Sequence, residues 1–557
     1  MDIKIWFVLL GIGTLTALVL ILIYQNRRRT RKLHLELRAL WGKPKDEYFD
    51  FEYITRFAKI SSNDAFHRLS NQTINDIDFY KLFCFIDRTT SRIGQQYLYK
   101  KVSEPTDKIQ DLLVLDHRAK LFTEDTALRE RIQLNFTRLS NSDAYTIANL
   151  LKEDLVAKPK WFRYLWMSTG SVLVLGAFST KFPILFVALF VPVILNIFLH
   201  YWNKNNLFQF VKSFPQLNVL IEVSSKVIHS EAIFSTKEVE TSILSFKAFQ
   251  RKVKLLYLGQ DGTMRGELEN FGLYFLELAK AILLVELYTT HSLAKELTNR
   301  KKDILTLFNF VGNLDASLSV ASLRAGSLST CQPTFTTAMK SLSIRGLRHP
   351  LIKNCVANDL NLDNRSILIT GSNMSGKTTF LRTVAISSIL AQTIYTCFAD
   401  SYSAPFLKQF SSIRIDDDLL AGKSYYFEEV NVIGSLVSES KADQQNLFVL
   451  DEVFRGTNTV ERIAAGKAIL SYLNHGMNLV IVSTHDIELA DMLMQEYELY
   501  HFSESVEGKE LRFDHTLKDG PLKTRNAITI LEIADYPNEI VMEARMLSSK
   551  NGTNSVR

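Results

Sequence analysis

The sequence predicts a multidomain α+β protein with three transmembrane helices, an all-α region around them and a C-terminal α/β domain. Three observations carry this prediction. Three uncharged apolar runs lie before residue 204. The stretches between and after them, to about residue 330, keep apolar spacing of helical period. After Ser341 short apolar strands alternate with helices, the pattern of a largely parallel sheet. The chain of 557 residues is long enough to bury more than one core. Hydrophobic residues make up 46% and charged residues 22%, ordinary for a folded protein, while 36 phenylalanines lean towards membrane contact. A net charge of +6 is by itself a weak pointer to nucleic acid or anionic lipid.

The first run, IWFVLLGIGTLTALVLILIYQN (Ile5–Asn26), reaches about 30 Å as a helix, the thickness of a hydrocarbon core. No small-x-small cleavage site follows it. It continues into RRRTRK (27–32), so an uncleaved anchor with its basic flank in the cytoplasm is expected over residues 1–26. The second run is Tyr164–Thr180 and the third Phe182–Asn203, separated by Ser179, Thr180, Lys181 and Pro183. Either alone could be a buried helix. Together, flanked by Trp161, Trp166, Tyr201 and Trp202, they predict a membrane hairpin over 161–203 with an aromatic belt. Lys158, Lys160, Arg163 and Lys204 place its outer flanks inside, and Lys181 marks the external turn. A multi-pass protein of the inner (cytoplasmic) membrane is predicted, with its bulk in the cytoplasm and membrane lipid as a partner.

Residues 27–160 form the expected cytoplasmic helical region, with heptad-like spacing over Leu33–Leu40 and Ile109–Leu128. Residues 204–335 form a second helical region, interrupted by LGQDGTMRGE (258–267). The cysteines Cys84, Cys331, Cys355 and Cys397 are scattered, with no CxxC pair. They read as small core residues of a reducing compartment, and a zinc site is not expected.

The chemistry lies in 336–557. ILITGSNMSGKTTFLRT (367–383) sets G-x-x-x-x-G-K-[ST] between a strand and a helix. Gly371, Ser372, Asn373, Met374, Ser375, Gly376, Lys377, Thr378 and Thr379 are therefore the candidate nucleotide-binding residues. Glycines let successive N–H groups face phosphate oxygens at a helix N-terminus; Lys377 would reach the β/γ-phosphates and Thr378 would hold Mg²⁺. NLFVLDEVFRG (446–456) delivers Asp451, a metal candidate, and Glu452, which would orient or deprotonate water. NLVIVSTHD (478–486) delivers His485, placed to sense a γ-phosphate. Lys377, Glu452 and His485 are the catalytic candidates. Three strand ends of this kind predict a P-loop ATPase of the ABC type using ATP and Mg²⁺, and such enzymes complete their sites by dimerisation. No LSGGQ and no Gly-Gly occurs, which argues against a transporter.

DEVFRGTNTVE (451–461) resembles the partner signature of the MutS mismatch-repair family. GSNMSGKTTFLRT, Arg348-His349-Pro350, DDLLAGKSYYFEEV (417–430) and DGPLKTRNAITILEIADYPNEIVMEARML (519–547) extend the likeness. IDRTTSRIGQQYLYKKVSEPTDKIQDLLVLDHRAKLF (86–122) and LFNFVGNLDASLSVASLR (307–324) are similar to that family's core and lever helices. The resemblance implies a homodimer through the ATPase domain and its C-terminal segment. In it Arg455, Gly456, Thr457, Asn458, Thr459 and Glu461 close over the partner's ATP. It also implies a member that lacks the N-terminal mismatch-reading domain. Phe122-Thr-Glu124, Phe275-Leu-Glu277 and Phe502-Ser-Glu504 fit the family's Phe-x-Glu wedge but lie in the wrong regions. Cys355 stands where an aromatic neighbour of adenine is usual, Asn458 replaces a serine and Phe454 a glycine. The function implied is a membrane-anchored ATPase whose cycle switches a dimer, with binding of mismatched or branched DNA by family analogy. The alternative is a membrane-tethered, ATP-switched scaffold for a protein or lipid partner without DNA.

Overall fold

The computed structural model describes residues 3–552 except 61–64, 153–161, 163, 207, 257–274, 276–277, 328, 373, 415–424, 442–443, 508–509 and 523–526. The chain forms two compact units. One comprises 1–62, 87–100 and 117–326; the other comprises 63–86, 101–116 and 327–557.

The first unit is helical. Its N-terminal helix, Ile3–Leu40, joins the first apolar run to the basic block without a break. The heptad-like stretch 109–128, of which 117–128 belong to this unit, is divided at Asp125, whose carboxylate caps helix Thr126–Phe136 by accepting from Leu128 N at 2.8 Å. The long helix Lys301–Gly326 lies in the unit's core, with Leu307, Phe308, Val311 and Leu314 wholly buried. On it Asp315 is also wholly buried and accepts from Thr90 N (2.8 Å), Ser91 N (2.7 Å) and Ser91 Oγ (2.6 Å). Gly94 allows this approach, because a Cβ there would fall 2.1 Å from Asp315 Oδ2. Burial pushes the Asp315 carboxyl up to about 6.

The hairpin forms as helices Leu165–Phe178 and Ile184–Asn206. Its outer surface is apolar and open: Phe186, Val187, Val191 and Phe198 are all more than half exposed. The count of three transmembrane helices needs correction. Among the described residues two helices are long and apolar enough to cross a bilayer, Ile184–Trp202 and Lys301–Gly326. In the second, 78% of the apolar stretch is buried, and it is the core helix just described. Leu165–Phe178 has 14 residues, about 21 Å of helix against a hydrocarbon core of about 30 Å. The turn at Ser179–Pro183 and the late start at Leu165 shorten it.

The second unit carries the sheets. Strands are β1 Thr334–Phe335, β2 Ser341–Leu347, β3 Asn358–Asp363, β4 Ser366–Thr370, β5 Ser401–Ala404 and β6 Lys408–Ser412. They continue as β7 Asn446–Asp451, β8 Leu479–Thr484, β9 Tyr497–His501, β10 Glu504–Glu507, β11 Glu510–Phe513 and β12 Lys518–Asp519. The main sheet has the order β12-β9-β4-β8-β7-β6 and is parallel except for β12. A second sheet has the order β1-β5-β2-β3, and β10 and β11 pair as an antiparallel ribbon. Every residue of β4, β7 and β8 is buried, as expected of parallel strands covered on both faces. Leu368, Phe448, Leu450, Val480 and Val482 pack with Leu470, Leu473, Leu489 and Leu493 from the flanking helices. The C-terminal ends of β4, β8 and β7, side by side, open onto one crevice, where ligands of such sheets bind.

Two segments from the first quarter of the chain belong to this unit. Asp76 accepts from Ser411 Oγ (2.6 Å), Ile413 N (3.1 Å) and Arg414 N (2.7 Å), which ties helix Asn71–Asp76 to the end of β6. His67 meets the Gln409 carbonyl at 2.7 Å, and burial lowers its pKa to about 4.

Candidate active site

After β4 the chain turns at Gly371, with φ 149°, and enters helix Lys377–Ile394 through Gly376, with φ 110°. Side chains are excluded at both points. A Cβ on Gly371 would lie 2.7 Å from the Phe502 carbonyl, and one on Gly376 would lie 3.3 Å from His515 Nδ1. Within the loop Ser375 Oγ donates to Ser372 O at 2.8 Å, and Ser372 Oγ donates to Glu504 Oε2 at 2.9 Å. Met374 is exposed at the rim, Thr379 lines the adjoining cavity, and Asn373 lies outside the described residues. Lys377 is buried under the loop, where Nζ donates to Gly371 O (2.7 Å) and Ser372 O (2.8 Å) and stands 3.4 Å from His485 Nε2. Burial lowers its pKa to about 8, against the pull of Asp451 and Glu452.

Thr378 Oγ1 donates to Asp451 Oδ2 at 2.7 Å, while the other carboxylate oxygen accepts from Ser483 Oγ. β7 and β8 thus fix Asp451 beside the first turn of the loop helix. Glu452 follows in left-handed backbone, φ 51°, with its N–H on Ser483 O at 2.9 Å. That conformation turns the side chain into the crevice, where Oε1 meets His485 Nε2 at 2.5 Å and Oε2 meets Arg455 Nε at 2.8 Å. Burial alone would raise the Glu452 pKa, but His485, Arg455 and Lys377 hold it below the usual carboxylate range.

The expected partner signature follows directly. Phe454 has φ 63° and is buried, and Phe454 N and Arg455 N donate to Glu429 Oε1 at 2.5 and 3.2 Å. Arg455 folds back on Glu452 and reaches Asp451 Oδ2 at 3.5 Å. After Gly456, Asn458 Oδ1 caps helix Thr459–Leu473 by accepting from Glu461 N at 3.0 Å, and Thr457 Oγ1 donates to Glu461 Oε2 at 3.2 Å. Arg455 therefore joins the crevice, whereas Thr457, Asn458 and Glu461 bond to one another at a helix start whose Val460 is 80% exposed. Of 417–430, residues 417–424 lie outside the described residues.

Beside the loop lies a cavity of about 390 Å³ lined by Ile352, Cys355, Val356, Met374, Phe502 and His515, among others. Cys355 is there, and His515 meets the loop from the same cavity. Asn358 holds the segment between β11 and β12 by its Oδ1 to Leu517 N (2.6 Å) and its Nδ2 to His515 O (3.0 Å). His515 Nδ1 sits 3.0 Å from Ser375 O, and its ring stacks on Phe513. A second cavity of about 280 Å³ lies between Glu452, Arg455, Arg462, His485 and Asp486. The Arg462 fork closes its floor on Asp486 at 2.7 and 2.9 Å.

Sequence reasoning missed Ser483, Glu429 and His515 as parts of this site. Glu429 carried a signal, an acid in an otherwise apolar helix face, but Ser483 and His515 carried none at short range. Of the Phe-x-Glu tripeptides, Phe122 is a core residue packed on Phe234, and Glu277 lies outside the described residues.

Comparison with known proteins matches residues 367–550 to MutS domain V. The chain is 32% identical to the DNA mismatch repair protein MutS of Staphylococcus epidermidis over 249 residues, 42% of this chain and 28% of that protein. It is 33% identical to that of Pseudothermotoga lettingae over 254 residues, 43% and 31% of the two chains. For Thermus thermophilus the figures are 32% over 212 residues, 37% and 26%. The chain thus spans under a third of the length of these relatives.

Proposed function

The chain belongs to the MutS family through its C-terminal domain, and from that premise we propose that it binds and hydrolyses ATP with Mg²⁺, switching a homodimer between two states. The observation that carries this reading is the meeting of Lys377, Thr378–Asp451 and Glu452–His485 at three adjacent strand ends.

The residues fit the group. A hydroxyl and a carboxylate held 2.7 Å apart are hard oxygen donors suited to Mg²⁺. Among the described residues no three His, Cys, Asp or Glu gather to hold a metal, so phosphate oxygens and water would complete the shell. Mg²⁺ would neutralise charge on the β- and γ-phosphates. The loop N–H groups and the helix N-terminus receive phosphate oxygens, and Lys377 moves from the loop carbonyls to them. Glu452, ionised, orients the attacking water and accepts its proton, and His485 bonds to the γ-phosphate while holding Glu452 in place. The cavity beside His515 takes the base, with that ring in the place of the missing aromatic at Cys355. The exposed signature from Arg455 to Glu461 closes over the partner's nucleotide.

The names of the relatives, DNA mismatch repair proteins, support a repair-related role on mismatched or branched DNA. The open apolar faces of Ile184–Asn206 support attachment to the inner membrane, with the ATPase domain in the cytoplasm. They also favour the second reading, a membrane-tethered, ATP-switched scaffold that binds a protein or lipid partner and no DNA. One experiment separates them: binding of the full chain to duplex, mismatched and branched DNA over a salt series, with and without ATP. Binding that weakens steeply with salt and prefers one DNA form supports repair. No binding at low salt, with ATP turnover intact, leaves the scaffold.

A further inference from the structure

The stretch LAKAILLVELY, residues 278–288, is joined to the membrane hairpin by side chains that make little sense in water. Asn196, in the apolar helix Ile184–Asn206, is wholly buried. Its Nδ2 donates to the Ile282 carbonyl at 2.7 Å, and its Oδ1 accepts from Ser168 Oγ at 2.6 Å. At that carbonyl the helix is broken: Leu284 adopts φ 52° before Val285–Thr298 begins, so the Ile282 oxygen has lost its helical donor. On a wet surface water would satisfy it. In hydrocarbon only another protein group can, and the hairpin supplies one.

Depth can be read from the same contacts. Asn196 precedes Trp202, the aromatic anchor of its helix, by six residues, about 9 Å of helix. Tyr288 packs on Trp166 and Phe162, with ring centroids 4.7 and 5.5 Å apart, at the aromatic level of the other hairpin helix. From Tyr288 back to Ile282 the chain therefore passes from the aromatic belt to the depth of Asn196.

The sidedness is that of a lipid-facing element. Phe275 is 61% and Leu278 47% exposed, while Lys280 is 8% exposed. Glu286 turns inward to His200, itself 5% exposed, at 3.6 Å. Lys280 and Glu286 thus face protein while Phe275 and Leu278 face out, the reverse of what those residue types do on an aqueous surface.

We infer that Phe275 and residues 278–288 belong to a further membrane element, entering the cytoplasmic leaflet beside the hairpin and presenting Phe275 and Leu278 to lipid acyl chains. The inference rests on the membrane reading of the hairpin given above, and its test keeps the two apart. The full chain, with its four cysteines replaced, is reconstituted in phosphatidylcholine–phosphatidylglycerol vesicles. Single cysteines replace Phe275, Leu278, Phe190 of the hairpin or Tyr48, and each carries an environment-sensitive fluorophore. Quenching by acyl-chain nitroxide lipid is compared with quenching by aqueous iodide. Lipid quenching at 190, 275 and 278, with iodide quenching at 48, is the expected result. Aqueous quenching at 275 and 278 with lipid quenching at 190 overturns the inference and leaves the hairpin in the membrane. Aqueous quenching at all four positions removes both. Shielding of 275 and 278 from both quenchers means a protein covers them, and also overturns it. Asn196→Ala, which frees the Ile282 carbonyl, lowers lipid quenching at 278 by about twofold or more and leaves 190 unchanged.

Discussion

At the scale of single residues, the site is governed by what burial does to charge. Lys377 is held near the point where its amine loses its proton, with a pKa of about 8. Phosphate oxygens at the amine would favour the charged form, so its pKa rises on binding and a proton is taken up wherever the free amine is neutral. Nucleotide affinity should therefore be flat below pH 8 and fall as pH rises above it, by up to about tenfold per unit. Fluorescent-nucleotide titrations from pH 6.5 to 9.5 read this directly, and a flat profile to pH 9.5 contradicts it. Lys377→Ala should abolish binding at every pH. Glu452→Gln keeps the shape and, on the proposed mechanism, removes the base, so ATP should still bind while turnover falls by about 10²–10⁴-fold. Single-turnover hydrolysis at the wild-type rate would refute that role. These residues were legible because loop, Asp-Glu and Thr-His are local patterns, each ending an apolar strand. Ser483 and His515 were not, because their partners come from distant segments and only the fold makes them neighbours.

Elements were legible by type more than by allegiance. Fully apolar runs at 367–369, 447–450 and 479–482 announced buried strands, and the hairpin's break showed in Ser179–Pro183. Nothing local could show that helix Asn71–Asp76 and His67 belong with β6, because the bonds that decide it run from Asp76 and His67 to residues 409–414. That attachment should be costly to remove. Asp76→Ala leaves Ile413 N, Arg414 N and Ser411 Oγ without their acceptor, a loss of about 2–4 kcal/mol in denaturant unfolding of the unit. The His67 contact sets a pH signature. Its folded pKa of about 4 lies below the ordinary 6.5, so the unfolded chain binds the extra proton between those values. The contribution is complete above pH 6.5 and is lost as pH falls towards 4, about 3 kcal/mol in all. A His67→Gln variant should flatten that limb of the stability curve, and an unchanged slope would show that other groups set it.

At the scale of the whole molecule, the proposed homodimer gives the exposed signature a testable role. Arg455 reaches its own Glu452, yet Thr457, Asn458 and Glu461 point their bonds at each other on an open helix start. If they complete the partner's site, two different defects must complement. Lys377→Ala removes the nucleotide grip of its own site and keeps a sound signature. Asn458→Ala keeps the grip and damages the signature, at a helix-cap cost of about 1 kcal/mol. Each homodimer should be nearly inactive. In a mixed dimer the site on the Asn458→Ala chain has a sound loop and receives the sound signature of the Lys377→Ala chain, so one of two sites works. With random pairing half the dimers are mixed, and an equimolar mixture should recover about a quarter of wild-type turnover. Activity that stays at the sum of the two homodimers, in a sample shown by crosslinking to have exchanged subunits, would place the whole reaction within one chain.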